Sequence, residues 1–199
     1  MLSVSRYADP ERLSTVFQAP EEPPRRADAE RNRARLLAAA RTVLADRTGD
    51  VSMAEVARRA ELGMATLYRN FPGRRELLEA LFAEEVDELC RAADEASGQP
   101  GEALRTWLRR FAVFHENKHP IAAELLRHTD TADPVFGSSR ARVIAAGRPL
   151  LAAAQEAHQA REDLVLDQIL DLVLAAVTVP GDRAYVDPIL RAALDGLRP

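Results

Sequence analysis

The stretch from Val51 to Phe71 constrains this chain more than any other: Val-Ser-Met-Ala-Glu-Val-Ala-Arg-Arg-Ala, then Glu-Leu-Gly, then Met-Ala-Thr-Leu-Tyr-Arg-Asn-Phe. Ser52 and Glu55 have the S-x-x-E spacing of a capping box, which starts a helix by matching orphan amides to side-chain oxygens. Met53, Val56, Ala57 and Ala60 follow at i, i+3, i+4 and i+7, so they share one buried face. Glu61-Leu62-Gly63 leaves room for a three-residue turn. A second short helix then runs from Gly63 or Met64 to Asn70, with Leu67 and Phe71 one turn apart as its core anchors. At about 100° per residue, Ala65 and Arg69 point away from those anchors, and Thr66 and Tyr68 lie on opposite flanks. Two short helices at a fixed angle form the unit that places one helix in the DNA major groove. In that setting Arg69 has the geometry for a bidentate contact to guanine, and Thr66 and Tyr68 can bond phosphates. The plainer alternative is the exposed polar face that most helices have.

Charge supports the first reading. The net charge of −4 hides an asymmetry: residues 25–75 carry 12 arginines against 6 carboxylates, whereas residues 76–199 carry 13 basic and 21 acidic groups. A basic segment joined to an acidic body suits a DNA-binding head on a non-DNA-binding core. An arginine-rich solvated surface is the competing explanation, since Lys118 is the single lysine and arginine is favoured throughout.

The apolar set is dominated by alanine and leucine and only 5% of residues are aromatic, so an all-α protein is expected. With one cysteine, Cys90, no internal disulfide can form, and a reducing cytoplasm is the expected compartment. No apolar run reaches the ~20 residues that a membrane span needs. The N-terminus lacks the apolar core of a secretory signal.

Residues 1–27 read as a proline-interrupted tail, with Pro10, Pro20, Pro23 and Pro24 breaking any helix. The spacing then predicts a first helix over Asp28 to Ala45, with Leu36, Leu37, Ala40, Val43 and Leu44 on one face. Arg31, Arg33 and Arg35 at its start would oppose the helix dipole, which phosphates nearby would relieve. After the helix pair, Pro72-Gly73 breaks the chain, and Arg74 and Arg75 open a helix to about Ala96. Further helices are expected over about Glu102 to Lys118, Ile121 to His128, Ser138 to Gln159 with a bend at Pro149, Glu162 to Val179, and Tyr185 to Leu197. That makes about nine helices in a head at 28–75 and a body at 76–199.

The block from Arg33 to Leu89 resembles the DNA-binding domain of the TetR family of bacterial transcriptional repressors. The resemblance rests on Leu36-Leu37-Ala38-Ala39-Ala40, Val51 to Ala57, Thr66-Leu67-Tyr68-Arg69-Asn70-Phe71 and Arg75-Glu76-Leu77-Leu78. It implies an N-terminal helix-turn-helix domain and a C-terminal helical bundle for effector binding and dimerisation. It also implies DNA contacts at Ser52, Met53, Ala65, Thr66, Tyr68, Asn70 and Arg74; Arg69 is added from helical geometry. The chain departs from the family at Glu61, where glycine is usual. If that position is left-handed, a non-glycine residue costs about 1 kcal/mol or more. Gly63 stands where serine usually caps the second helix, a tolerated change.

The family pattern implies a homodimer that reads an inverted-repeat operator in successive major grooves ~34–36 Å apart. It further implies release by a small-molecule effector through a coupling of ~1–3 kcal/mol. The dimer surface is expected on the last two helices, where Leu164, Leu166, Ile169, Leu170, Leu172, Val173, Ala176 and Val177 cover more than one face and Ile189, Leu190, Ala193 and Leu197 form a stripe. Trp107, Phe111, Phe114, His115 and His128 are the candidate pocket residues, an aromatic set with polar anchors. The same residues also suit plain core packing.

His115 and His119 lie one turn apart, with His128 or Glu116 as a third possible ligand, but a histidine pair on an amphipathic helix is usually structural, so neither metal nor cofactor is assigned. No nucleophile–base arrangement, glycine-rich phosphate loop or HExxH motif marks an enzyme. An effector-independent architectural DNA-binding protein and a helical module that binds an acidic partner remain as alternatives.

Overall fold

The computed structural model describes residues 24–45, 52–126 and 134–199, and among them the secondary structure is eight α-helices. They are α1 (Pro24–Ala45), α2 (Met53–Arg59), α3 (Met64–Asn70), α4 (Arg74–Asp94), α5 (Pro100–Leu126), α6 (Pro134–Glu156), α7 (Leu166–Val177) and α8 (Arg183–Asp195).

Several boundaries differ from the sequence reading, the starts of α6 at Pro134 and α7 at Leu166 among them, and two differences bear on the packing. Helix α1 starts at Pro24, so residues 24–27 belong to it and not to a tail. Proline is a breaker inside a helix but is tolerated in the first turn, where its missing N–H would have no partner anyway. The shift removes the dipole argument for Arg31, Arg33 and Arg35, which now lie beyond the first turn, where that effect has faded. Their charges find partners within the chain: Arg31 pairs with Asp28, and Arg35 reaches Glu61 at 3.3 Å. The second difference is that α5 is one helix where two were expected, continuing through Pro120. Proline deletes one donor, but Phe114, Ile121 and Leu125 are all buried and fall seven and four residues apart. One apolar stripe therefore crosses the proline, and tertiary packing outweighs the local break. This merger brings the count to eight.

Leu36, Leu37 and Ala40 of α1 pack with Val56, Ala57, Leu67 and Phe71 to form the core of the head. Helix α4 serves both parts. Its Leu77 and Leu78 belong to the same continuous core as Val86 and Leu89, which are wholly or almost wholly buried farther along. It packs on α1 at one side and on α5 and α6 at the other. A fork of hydrogen bonds adds to the α1–α4 contact: Arg41 donates from Nε to Glu85 at 2.7 Å and from Nη2 to Glu84 at 2.8 Å.

In the body, Trp107 is buried and donates from Nε1 to the Leu89 carbonyl at 3.1 Å. Its ring faces Gly147 of α6 so closely that a Cβ there would lie 2.3 Å from Cη2. Asp182 caps α8 by accepting the Tyr185 amide at 3.0 Å.

Candidate nucleic-acid interface

Helix α2 begins with half of the expected capping box: Ser52 caps it, but Glu55 does not reach back to the Ser52 amide. Ser52 has extended backbone and its hydroxyl accepts the Glu55 amide at 3.4 Å. Glu55 turns its carboxylate to two arginines, receiving Arg58 Nε and Nη2 and Arg59 Nε, each at 2.7 Å. These charge-assisted bonds hold its carboxyl well below the usual range, at about 2. Both arginines thus lie against their own helix through Glu55.

Glu61 has a φ of 53°, in the left-handed region. The Leu62 amide donates to the Ala57 carbonyl at 3.0 Å and the Glu61 amide to the Arg58 carbonyl at 3.1 Å. This pair of bonds is a Schellman motif, whose left-handed position glycine fills without strain. The turn thus keeps the geometry that favours glycine while carrying glutamate. The exposed Arg35–Glu61 pair returns little of that cost. Glu61→Gly should raise unfolding stability by about 0.5–1 kcal/mol, because relief of ~1–2 kcal/mol exceeds the added chain entropy of glycine. Urea unfolding of the two proteins measures this. A lower midpoint for Glu61→Gly would show that the ion pair, not the backbone, governs the turn.

Helix α3 is pinned by Leu67 and Phe71, both almost fully buried. Phe71 closes the helix by donating its amide to the Leu67 carbonyl at 2.8 Å. Arg33 of α1 sits over its ring, 4.7 Å from the centroid, a cation–π contact that ties α1 to the end of α3. Sequence reading missed this role. The available signal was spacing, because Arg33 and Arg41 lie four residues either side of buried Leu37 and so on its stripe.

The expected contact residues divide by exposure. Ser52, Ala65, Tyr68 and Arg69 are exposed, Tyr68 at 49%. Arg69 lies back along its own helix, donating from Nε to the Ala65 carbonyl at 3.2 Å and from Nη2 to the Thr66 hydroxyl at 3.1 Å. Thr66 and Asn70 are half-buried, and the Asn70 side chain donates from Nδ2 to the Thr66 carbonyl at 2.8 Å. Met53 is half-buried and packs against the core of the head. Arg74 is half-buried at the start of α4, with its Nε and Nη2 shut off from solvent. Ala65, Thr66, Tyr68 and Arg69 are therefore gathered on one short helix, with Ser52 and Arg74 opening the neighbouring helices.

The pocket candidates lie along α5. Trp107, Phe111 and Phe114 are buried in the body, with successive ring centroids 6.5 and 6.3 Å apart, and His115 is half-buried beside them. His128 lies outside the described residues, as does the side chain of His119. Among the described residues no three His, Cys, Asp or Glu side chains gather as a metal site would require. Among them, too, no helix is long and apolar enough to cross a membrane.

Comparison with known proteins agrees with this architecture. Residues 36–81 match the model for bacterial regulatory proteins of the tetR family, and residues 99–199 match that for the C-terminal domain of SbtR-like transcriptional regulators. No curated protein matches the chain. Among solved structures, a TetR transcriptional regulator from Streptomyces coelicolor is 34% identical, with a TM-score of 0.69 over 84% of this chain and 98% of that one. A TetR transcription regulatory protein from Mycobacterium vanbaalenii is 31% identical, with a TM-score of 0.73 over 88% of this chain and 100% of that one. RolR, solved with the ligand resorcinol, shares the fold at 24% identity, with a TM-score of 0.53 over 86% of this chain and 90% of its own. The capped helix pair, its anchored second helix and both halves of the chain lead to one assignment: this protein belongs to the TetR family of transcriptional regulators and is a DNA-binding protein.

Proposed function

We propose that the protein is a cytoplasmic repressor that binds an inverted-repeat operator as a homodimer and leaves it when a small molecule binds the body. The observation that carries this reading is the outward face of α3. Ala65, Tyr68 and Arg69 are solvent-facing on a helix whose opposite side is locked by Leu67 and Phe71. A rigid helix with a small residue, a phenol and a guanidinium on its free face suits the major groove. Ser52 would take a phosphate beside it, as would the part of the Arg74 guanidinium other than its enclosed Nε and Nη2, Thr66 and Asn70 would shape its flanks, and Met53 would set the entry of α2.

Dimerisation through α7 and α8 is supported by their exposed apolar side chains, with Leu172 at 41% and Tyr185 at 60% exposure. The effector site would lie along α5, with Trp107, Phe111, Phe114 and His115 as its candidate residues; His128 is carried with them from the sequence alone. RolR binds a small aromatic within the same fold. The architectural and protein-partner alternatives lack a reason for so firmly oriented a helix face.

Footprinting with purified protein, starting at its own promoter, should protect a palindromic site. Protection without any palindrome at moderate salt would reject the dimeric operator. Within that site Arg69→Ala should cost about 1–3 kcal/mol and relax preference at one position of each half-site. A uniform loss over all sequences would mark Arg69 as a phosphate contact.

A further inference from the structure

A groove of about 550 Å³ runs between α4 and α5, and all its described lining residues come from those two helices. Its α4 wall carries Glu85 and Glu88, and its α5 wall carries Arg109 and Arg110. Leu89 and Phe114, both buried, form the apolar floor between them. The volume falls in the range of small-molecule sites. Two of the four charges are already matched: Glu85 receives Arg41 at 2.7 Å, and Arg109 donates to Glu102 at 3.0 Å. Glu88 and Arg110 are exposed on opposite walls, and among the described residues neither makes an ion pair. Among its described residues the groove therefore offers one uncompensated anion and one uncompensated cation, with apolar residues between them.

From this pattern we infer, resting on the effector reading above, that the effector site opens at Phe114 into this groove and takes a small zwitterion with an apolar body: its ammonium toward Glu88, its carboxylate toward Arg110, its side chain on Leu89 and Phe114. A molecule with only one of the charges leaves the other wall unmatched. A purely apolar molecule leaves both unmatched and gains only the floor. The site adjoins the head–body junction, because Glu85 in its wall also holds Arg41 of α1.

The test uses the full chain and three probes that share one phenyl-ethyl skeleton: L-phenylalanine, phenethylamine and 3-phenylpropanoate. Ligand-observed NMR titrations without DNA give each affinity. L-phenylalanine should bind saturably, at least tenfold tighter than either singly charged analogue. Glu88→Gln and Arg110→Gln should each weaken it about tenfold; both positions are exposed, and circular dichroism checks that the variants stay folded. No saturable binding of L-phenylalanine up to 10 mM, roughly the weak limit of specific recognition, would overturn the inference. Equal binding of all three probes, or binding unchanged in both variants, would overturn it as well. The operator plays no part in this measurement, so its failure leaves the DNA-reading proposal standing, and the footprint judges that proposal alone.

Discussion

Phe71→Ala should destabilise the protein by about 3–5 kcal/mol and abolish operator binding. Phe71 is 1% exposed, ends α3 and lies beneath the Arg33 guanidinium. Removing the ring opens a cavity under α3 and strips the cation–π contact, which is itself worth about 0.5–1 kcal/mol. Such a loss is a large part of the ~5–15 kcal/mol that holds a typical domain together. Phe71→Leu keeps most of the volume and should cost far less, and Arg33→Ala should cost only the cation–π share. Urea unfolding followed by circular dichroism, alongside gel retardation on the footprinted operator, separates these cases. A Phe71→Ala protein within 1 kcal/mol of the original would mean that α3 is held by something other than its anchor.

Gly147→Ala should also be strongly destabilising, by about 2–3 kcal/mol, although helix propensity alone favours alanine by about 1 kcal/mol. The new Cβ would sit 2.3 and 2.6 Å from Trp107 Cη2 and Cζ3 and 3.0 Å from Leu166 Cδ2. Trp107 has nowhere to retreat. Its Nε1 is bound to the Leu89 carbonyl at 3.1 Å, its ring stacks on Phe111, and it is 1% exposed. Combining Gly147→Ala with Trp107→Phe should recover part of the loss, because the smaller ring vacates the overlap. A double-mutant cycle is expected to show coupling above 1 kcal/mol. Additive effects, or a more stable Gly147→Ala, would mean that α6 slides away from α5 at little cost.

Local signals carried the head. Ser52, the Met53–Val56–Ala57–Ala60 stripe and the Leu67–Phe71 pair each act within one or two turns, and the structure places the helix pair where they indicate. The left-handed turn was readable as a condition attached to Glu61, and the condition is met. What the sequence hid depends on partners distant along the chain. The start of α1 turned on whether Pro24 stood inside or at the edge of a helix. The continuity of α5 turned on a buried stripe that outlasts Pro120. The roles of Arg33 and Arg41 depend on Phe71, Glu84 and Glu85, which lie 38–44 positions away. Met53 and Arg74, read as contacts from a motif, are half-buried, because a motif records residue type and not how far neighbouring helices close over it.

One helix, α4, lies in the core of both head and body, and this has a mechanical consequence. Its 21 residues make a rod of ~30 Å. Pivoted near its body end, that rod converts a tilt of about 5° into a travel of ~2.5 Å at Arg74, a large fraction of the ~5.4 Å pitch of a helix turn. The Arg41 fork and the Leu77–Leu78 packing carry α1, and with it α3, along the same arc. In a pair of such rods, equal swings in opposite senses double the change in spacing between two reading helices. In the proposed dimer, a tilt of a few degrees in the body would thus shift both reading helices relative to the grooves.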